Sequence, residues 1–146
     1  MPVLRSLIAA ALLSLSLATL SLAPAAAQST SLPPADRAAI EAVIQKQFDA
    51  FSRDDSDGAF AQAAPEIRQL FGEAYIFMRM VRGAYAPVYH HRDAAFGEIK
   101  DGPTQIVTIT GEDGRHWLAF YQMVLGEDGV WRIKGVNLVE DPDQHV

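Results

Sequence analysis

The chain has no cysteine among its 146 residues. A disulfide framework, a thiol nucleophile and a lipid-modified cysteine anchor are therefore excluded, and any fold has to be held together by burial. Positive charge is scarce too: 12 Lys and Arg face 18 Asp and Glu, for a net charge of −6. Such a surface repels phosphate backbones and anionic lipid headgroups, which argues against nucleic acid as a partner. Histidine is also sparse, with His90 and His91 adjacent in sequence. Neighbours on a strand point to opposite faces and cannot easily share one ion. With Asp93 read as a turn residue and no zinc ligand set visible, neither a metal nor a cofactor is expected. No serine sits in a strand-to-helix elbow, so a nucleophilic route has little support.

One long apolar run is present, and it stands at the beginning. Arg5 precedes an apolar stretch from Leu7 to Leu22, followed by small residues around Ala25-Ala26-Ala27. This order reads as a secretory signal peptide over residues 1–27, cleaved after Ala27. The alternative is a membrane anchor, because about 17 to 25 apolar residues can span a bilayer. The Ala-x-Ala site, the interspersed Ser and Thr and the proline near the exit favour cleavage. No twin-arginine pair is present, which favours the general secretion route to the periplasm or the exterior. Loss of Arg5 would shift the net charge from −6 to −7, with no membrane attachment left. Residues 28–35 read as a linker and 36–146 as a single α+β domain, too short for two cores.

The first half of that domain is helical in pattern. Ile40, Val43, Ile44, Phe48 and Phe51 recur at steps of three and four, with Glu41, Gln45, Lys46, Asp49 and Ser52 between them. The spacing predicts an amphipathic helix from Asp36 to about Arg53, started by Asp36 or by Pro34 in its first turn. Arg53 to Gly58 then turns the chain. Its acids lack the alternation of a calcium loop and suit helix capping instead. Short helices are expected over Ala59–Ala63 and Pro65–Phe71, the latter capped by Gly72, and another over Tyr75–Arg82, stopped by Gly83. Ala86 to His90 reads as an extended edge segment because Pro87 cannot donate to a central ladder. Phe96 to Ile99 reads as a short strand, followed by a turn at Asp101-Gly102-Pro103.

The second half is organised by a repeat. Gly-Glu-Asp-Gly occurs at 111–114 and again at 126–129, between runs rich in Val, Ile, Thr, Trp and Tyr. This predicts three antiparallel strands. In each copy Glu-Asp forms a type I turn and the second Gly takes the left-handed region, setting Gly111 opposite Arg115 and Gly126 opposite Val130. Counting on places Ile109, Trp117 and Val139 in one row of the inner face. The next rows hold Val107, Ala119 and Asn137, then Gln105, Tyr121 and Gly135, then Met123 with Ile133 and Leu125 with Trp131. The outer face carries Arg132, Lys134, Gln122 and threonines, with an apolar group of Ile106, Leu118, Phe120, Val136 and Leu138. Trp131 anchors the inner core. Gln105, Tyr121 and Asn137 are polar groups on an apolar face beside a glycine that leaves space. Either they satisfy one another and the helices, or they line a ligand pocket of apolar walls with a few convergent polar groups.

These residues resemble a bacterial family, the domain of unknown function 4864, itself similar to the nuclear transport factor 2-like superfamily. The matching residues are Gln47-Phe48-Asp49-Ala50-Phe51 with Asp54-Asp55, Ala64-Pro65-Glu66-Ile67, Met80-Val81-Arg82 and Tyr85-Ala86-Pro87-Val88-Tyr89. They continue through Gln105-Ile106-Val107, Ala119-Phe120-Tyr121 and Asp128 to Ile133. The chain departs from the family pattern at His90-His91 and Val136. The resemblance implies an α+β fold, with a cone of helices packed on a curved, mainly antiparallel sheet and a cavity between them. It supplies no activity, and fold alone does not choose one.

Two functions follow as expectations. The first is a non-catalytic module that binds a small apolar ligand or a protein partner, with Gln105, Tyr121, Asn137 and Tyr85 as ligand-binding residues. The second is a small isomerase or dehydratase in which a carboxylate abstracts a proton and Tyr121 or Tyr85 stabilises the oxyanion. The acids that can be placed, Asp49, Asp54 and Asp55, fall on a solvent face or a capping loop, which counts against the enzyme. A homodimer through the outer apolar group is a further expectation.

Overall fold

A computed structural model describes residues 31–141 of the chain; the expected signal peptide and residues 28–30 of the expected linker lie outside the described residues. Pro34, one of the two expected starting residues, opens helix α1 (Pro34–Ser52), because proline fits a first turn whose N–H groups have no intrahelical partner. The helix buries Ile40, Val43, Ile44, Gln47, Phe48, Ala50 and Phe51, a stripe at steps of three and four. The acidic loop behaves as a cap. Asp55 accepts a 2.9 Å hydrogen bond from the Gly58 N–H and starts α2 (Ser56–Ala61), slightly earlier than expected. Helix α3 (Pro65–Phe71) has the expected bounds and ends at Gly72, whose φ is +72°.

Helix α4 (Ala74–Ala84) runs through Gly83 and ends at Tyr85. The next segment corrects the expectation of an extended edge: Ala86–Tyr89 is a short helix, α5. Pro87 suits the first turn of a helix as well as it suits a sheet edge, since both leave its missing donor unneeded.

The sheet is a curved, open, antiparallel meander in the order β1-β2-β3-β4: β1 (His91–Lys100), β2 (Thr104–Gly111), β3 (His116–Leu125) and β4 (Trp131–Glu140). Strand β1 is longer than the expected four residues. Irregularities at His91/Asp93 and Phe96/Ile99 interrupt its alternation, which is why its pattern is weak in the sequence. Both Gly-Glu-Asp-Gly turns have the expected geometry. Gly111 N–H donates to Arg115 O and Gly126 N–H to Val130 O, each at 2.9 Å, and Gly114 and Gly129 have φ of +81° and +74°.

The β2–β3 register is the expected one, including Gln105 opposite Tyr121 and Ile109 opposite Trp117. The β3–β4 register is as expected for Leu125 with Trp131 and Met123 with Ile133, and then slips. Gly135 pairs with Gln122, so Lys134 is an extra residue in β4, a bulge. Beyond it Tyr121 faces Val136, Ala119 faces Leu138 and Phe120 faces Asn137. The slip is favourable because it turns Val136 and Leu138 toward the core and leaves the Asn137 amide exposed, where it costs no desolvation. It begins next to Ile133, whose backbone is gripped on the open edge of β4: Ile133 N–H donates to Gln62 O at 2.9 Å and Ala64 N–H to Ile133 O at 2.8 Å. The outer apolar group is corrected accordingly. Val136 and Leu138 leave it, and Val139, 46% exposed, joins Ile106, Leu118 and Phe120. The core lies between this sheet and the helices, with Ile40, Ile44, Phe48 and Met78 meeting Val107, Ile109, Ala119 and Tyr121.

Candidate functional site

The core is not filled throughout. A cleft of about 270 Å³ opens between the helices and the β3–β4 end of the sheet. Its walls follow from the elements around it. Helix α1 contributes Gln47 and Phe51, α4 contributes Phe77, Met80 and Val81, and the α4–α5 junction contributes Tyr85 and Val88. The sheet supplies Tyr121, Ile133, Gly135 and Val136. Gly135 lines the cleft through its backbone: the shifted register pairs it with Gln122 and not with Tyr121 as expected, and a Cβ there would lie 3.4 Å from Gln122 Oε1, on the outer face. The rim is α3: Ile67, Leu70 and Phe71 line the cleft although α3 buries no residue fully, and Leu70 is 75% exposed.

The polar groups in this apolar space are few and neutral. Tyr121 is fully buried, and its hydroxyl has no hydrogen-bond partner among the described residues. Its ring packs edge-on against Phe48, with centroids 6.0 Å apart. Burial, with a smaller contribution from Tyr85, raises the phenol pKa far above its ordinary value, so Tyr121 stays a neutral donor. Tyr85 donates its own O–H to Val136 O at 3.0 Å, which fixes the phenol against the bulge and commits its proton. Gln47 is 3% exposed, and its Nε2 reaches Ala59 O only at 3.5 Å, the outer limit of a hydrogen bond.

Of the four residues expected to bind a ligand, the cleft gathers two, Tyr121 and Tyr85. Gln105 is fully buried beside Tyr121 but turns away toward β1. Its Nε2 donates to Gly97 O at 2.9 Å and to Ile106 O at 2.8 Å, stitching the irregular part of the β1–β2 ladder. Asn137 is exposed on the outer face, and its place at the cleft is corrected by the bulge. Gln47 was not among the expected binding residues. Its signal was helical phase: it lies three and four residues from Ile44 and Val43 and four before Phe51, on the buried stripe.

A second, more polar cleft lies at the C-terminal end of α1, lined by Asp49, Ser52, Asp54, Tyr89, His90 and His91 among others. Both histidines line it, the His90 ring edge-on to Tyr89 and the His91 ring against Phe48. His91 Nδ1 lies 2.7 Å from Val88 O. Asp54 is bound by both Tyr89 and Arg82, and these contacts, that of Tyr89 first, hold its carboxyl below the ordinary range. Among the described residues no group of three or more histidines or carboxylates is placed to hold a metal ion.

Comparison with known proteins adds one finding. The model of a family described as "Domain of unknown function (DUF4864)" matches residues 33–146, which takes in every helix and strand described above. No curated protein matches the chain.

Proposed function

The chain belongs to the DUF4864 family, and from that premise we propose that its domain is a non-catalytic module that binds a small, largely apolar ligand in the cleft between helices and sheet. The observation that carries this reading is the Tyr121 hydroxyl. A buried phenol O–H is normally hydrogen-bonded, and leaving it unpaired costs about 1 to 3 kcal/mol. An unpaired buried O–H on a residue that lines an apolar cleft fits a ligand site, where walls supply burial and one or two polar groups supply orientation. The volume, near the lower end of small-molecule sites, restricts the ligand to a compact one.

The non-catalytic part of the reading is supported by the chemistry of the lining. An isomerase or dehydratase needs a proton-transfer group near the tyrosine. Among the described residues, the cleft is lined by no carboxylate, histidine or lysine, and Tyr121 itself is held neutral. The tripartite pattern of residues 1–27 supports a periplasmic or secreted location, and mass spectrometry of the exported protein should find Gln28 at its start.

The binding test is isothermal titration with pentylbenzene, a neutral apolar probe of about eleven non-hydrogen atoms. Its heat should saturate with the wild-type domain and be lost in Val136→Trp, which fills the cleft, while the far-ultraviolet circular dichroism is retained. A heat unchanged by Val136→Trp places binding elsewhere and overturns the reading.

A further inference from the structure

Resting on the reading of this cleft as a ligand site, we infer that its ligand class is an uncharged carbonyl compound, a ketone, ester or amide, whose oxygen accepts the hydrogen bond of Tyr121. Three observations carry the step from "apolar ligand" to this class.

The first is the sign of the hydrogen-bonding demand. The Tyr121 O–H is fully buried and has a proton to give with no protein acceptor among the described residues. The proton of Tyr85, the other phenol of the cleft, is already given to Val136 O at 3.0 Å, so of the two phenols Tyr121 alone has a proton left to donate. Gln47 adds a carboxamide whose contact to Ala59 O, at 3.5 Å, is weak enough to be exchanged for a ligand atom. The site therefore asks for an acceptor, and a ligand lacking one leaves the phenol unpaired.

The second is the absence of counter-charge. Among the described residues no charged side chain lines the cleft, and the chain as a whole is acidic. A carboxylate brought to Tyr121 would lose its hydration against one or two neutral donors, which does not compensate a desolvated anion. An ammonium group would meet a donor where it needs acceptors. Both ionic classes are selected against, and the preference is for neutral oxygen.

The third is size. An apolar cavity of about 150 Å³ holds benzene. Scaling from that six-carbon ring, the 270 Å³ here corresponds to a ligand of about eleven non-hydrogen atoms. The aromatic side chains of Phe51, Phe71, Phe77 and Tyr85 offer faces and edges to a ring of that size.

Four probes of matched bulk test the class on the wild-type domain by isothermal titration, with two-dimensional NMR reporting the site through the Gly135 and Val136 amides: butyrophenone, pentylbenzene, 4-phenylbutyrate and 4-phenylbutylamine at pH 7. Butyrophenone is expected to bind at least about ten-fold more tightly than either ionic probe. Tyr121→Phe is expected to weaken butyrophenone about ten-fold and to leave pentylbenzene unchanged or improved. If the carboxylate or the ammonium binds as tightly as the ketone, the inference is wrong while the ligand-site reading stands. The same holds if Tyr121→Phe weakens ketone and hydrocarbon alike. If none of the four shifts the Gly135 and Val136 signals, the ligand-site reading falls with it. The ranking on the wild-type protein keeps the test decisive should Tyr121→Phe fold poorly.

Discussion

Trp131 and Asp36 meet across 95 positions of sequence: the indole Nε1 donates to the Asp36 carboxylate at 2.9 Å, tying the first residue of β4 to the first turn of α1. Trp131 is 7% exposed and completes the core below this contact. The link closes the helix layer onto the edge of the sheet, so two different costs can be separated at one place.

Truncation of the indole removes both its packing and its hydrogen bond. Trp131→Ala should cost about 3 to 5 kcal/mol, a large part of a total stability of about 5 to 15 kcal/mol. Asp36→Ala removes only the acceptor and should cost about 1 kcal/mol, since the carboxylate is half-exposed. Urea denaturation of both single variants and the double variant gives the coupling. Additive losses would mean that the hydrogen bond contributes nothing of its own.

Tyr121 should behave in the opposite way from an ordinary buried tyrosine. Tyr121→Phe keeps the ring against Phe48 and deletes a hydroxyl that has no protein partner among the described residues. The ligand-free domain should therefore be unchanged or up to about 2 kcal/mol more stable. A thermal midpoint that drops markedly in the variant would show that the hydroxyl is satisfied inside the fold and would take away the main support for a ligand site.

How much of this was legible in the sequence depends on how local the cause was. Both turns were, because Gly129 must adopt φ of +74° and Gly126 must lack a Cβ that would come within 2.5 Å of Asp128 Oδ1; a four-residue motif states both requirements. The pairing of Gln105 with Tyr121 followed from the first turn by counting. The bulge at Lys134 was legible only in part. The apolar order Trp131, Ile133, Val136, Leu138 breaks period two by one residue, but its other cause, the grip of Gln62 and Ala64 on Ile133, comes from a segment some 70 residues earlier. Asn137 was misplaced for that reason. Helix α5 was misread because proline marks a strand edge and a helix start equally well. The cleft itself is a property of the helices' placement, which no local pattern encodes, although the helical phase of Gln47 pointed toward it.

Gln105 makes a structural prediction where a binding role had been expected. Its carboxamide donates to Gly97 O and Ile106 O, so Gln105→Leu should lose about 1 to 3 kcal/mol. The effect should be local as well as global, with faster amide hydrogen exchange at Ile99 and neighbouring residues of β1. Binding of a neutral probe in the cleft should survive, because Gln105 does not line it. Loss of binding with unchanged exchange in β1 would return Gln105 to the site.

The two repeat turns set an acid-dependent contribution whose sign is fixed by their carboxylates. In the second turn Asp128 accepts from Arg132 Nη1 and Nη2 at 3.0 and 2.6 Å and from the Val130 N–H at 3.1 Å. Arg132 first, and the Val130 N–H second, push its pKa from 3.8 down to about 2. Asp113 is lowered in the same way by Arg115. A carboxyl whose pKa is depressed on folding is ionised more readily in the native state, so it stabilises the fold above its unfolded pKa and loses that contribution as pH falls through the folded value. For Asp128 the window lies between about pH 4 and pH 2. Both groups are exposed at hairpin tips, so the contribution is modest and sensitive to salt. Urea midpoints measured at pH 7, 5, 4, 3 and 2 should decline below pH 4 in the wild type. Asp128→Asn should flatten that decline and leave the dependence between pH 7 and pH 5 as it was. If variant and wild type decline in parallel down to pH 2, Arg132 does not hold the carboxylate in the folded protein, and the second turn is kept by Gly126, Gly129 and the backbone bond to Val130 alone.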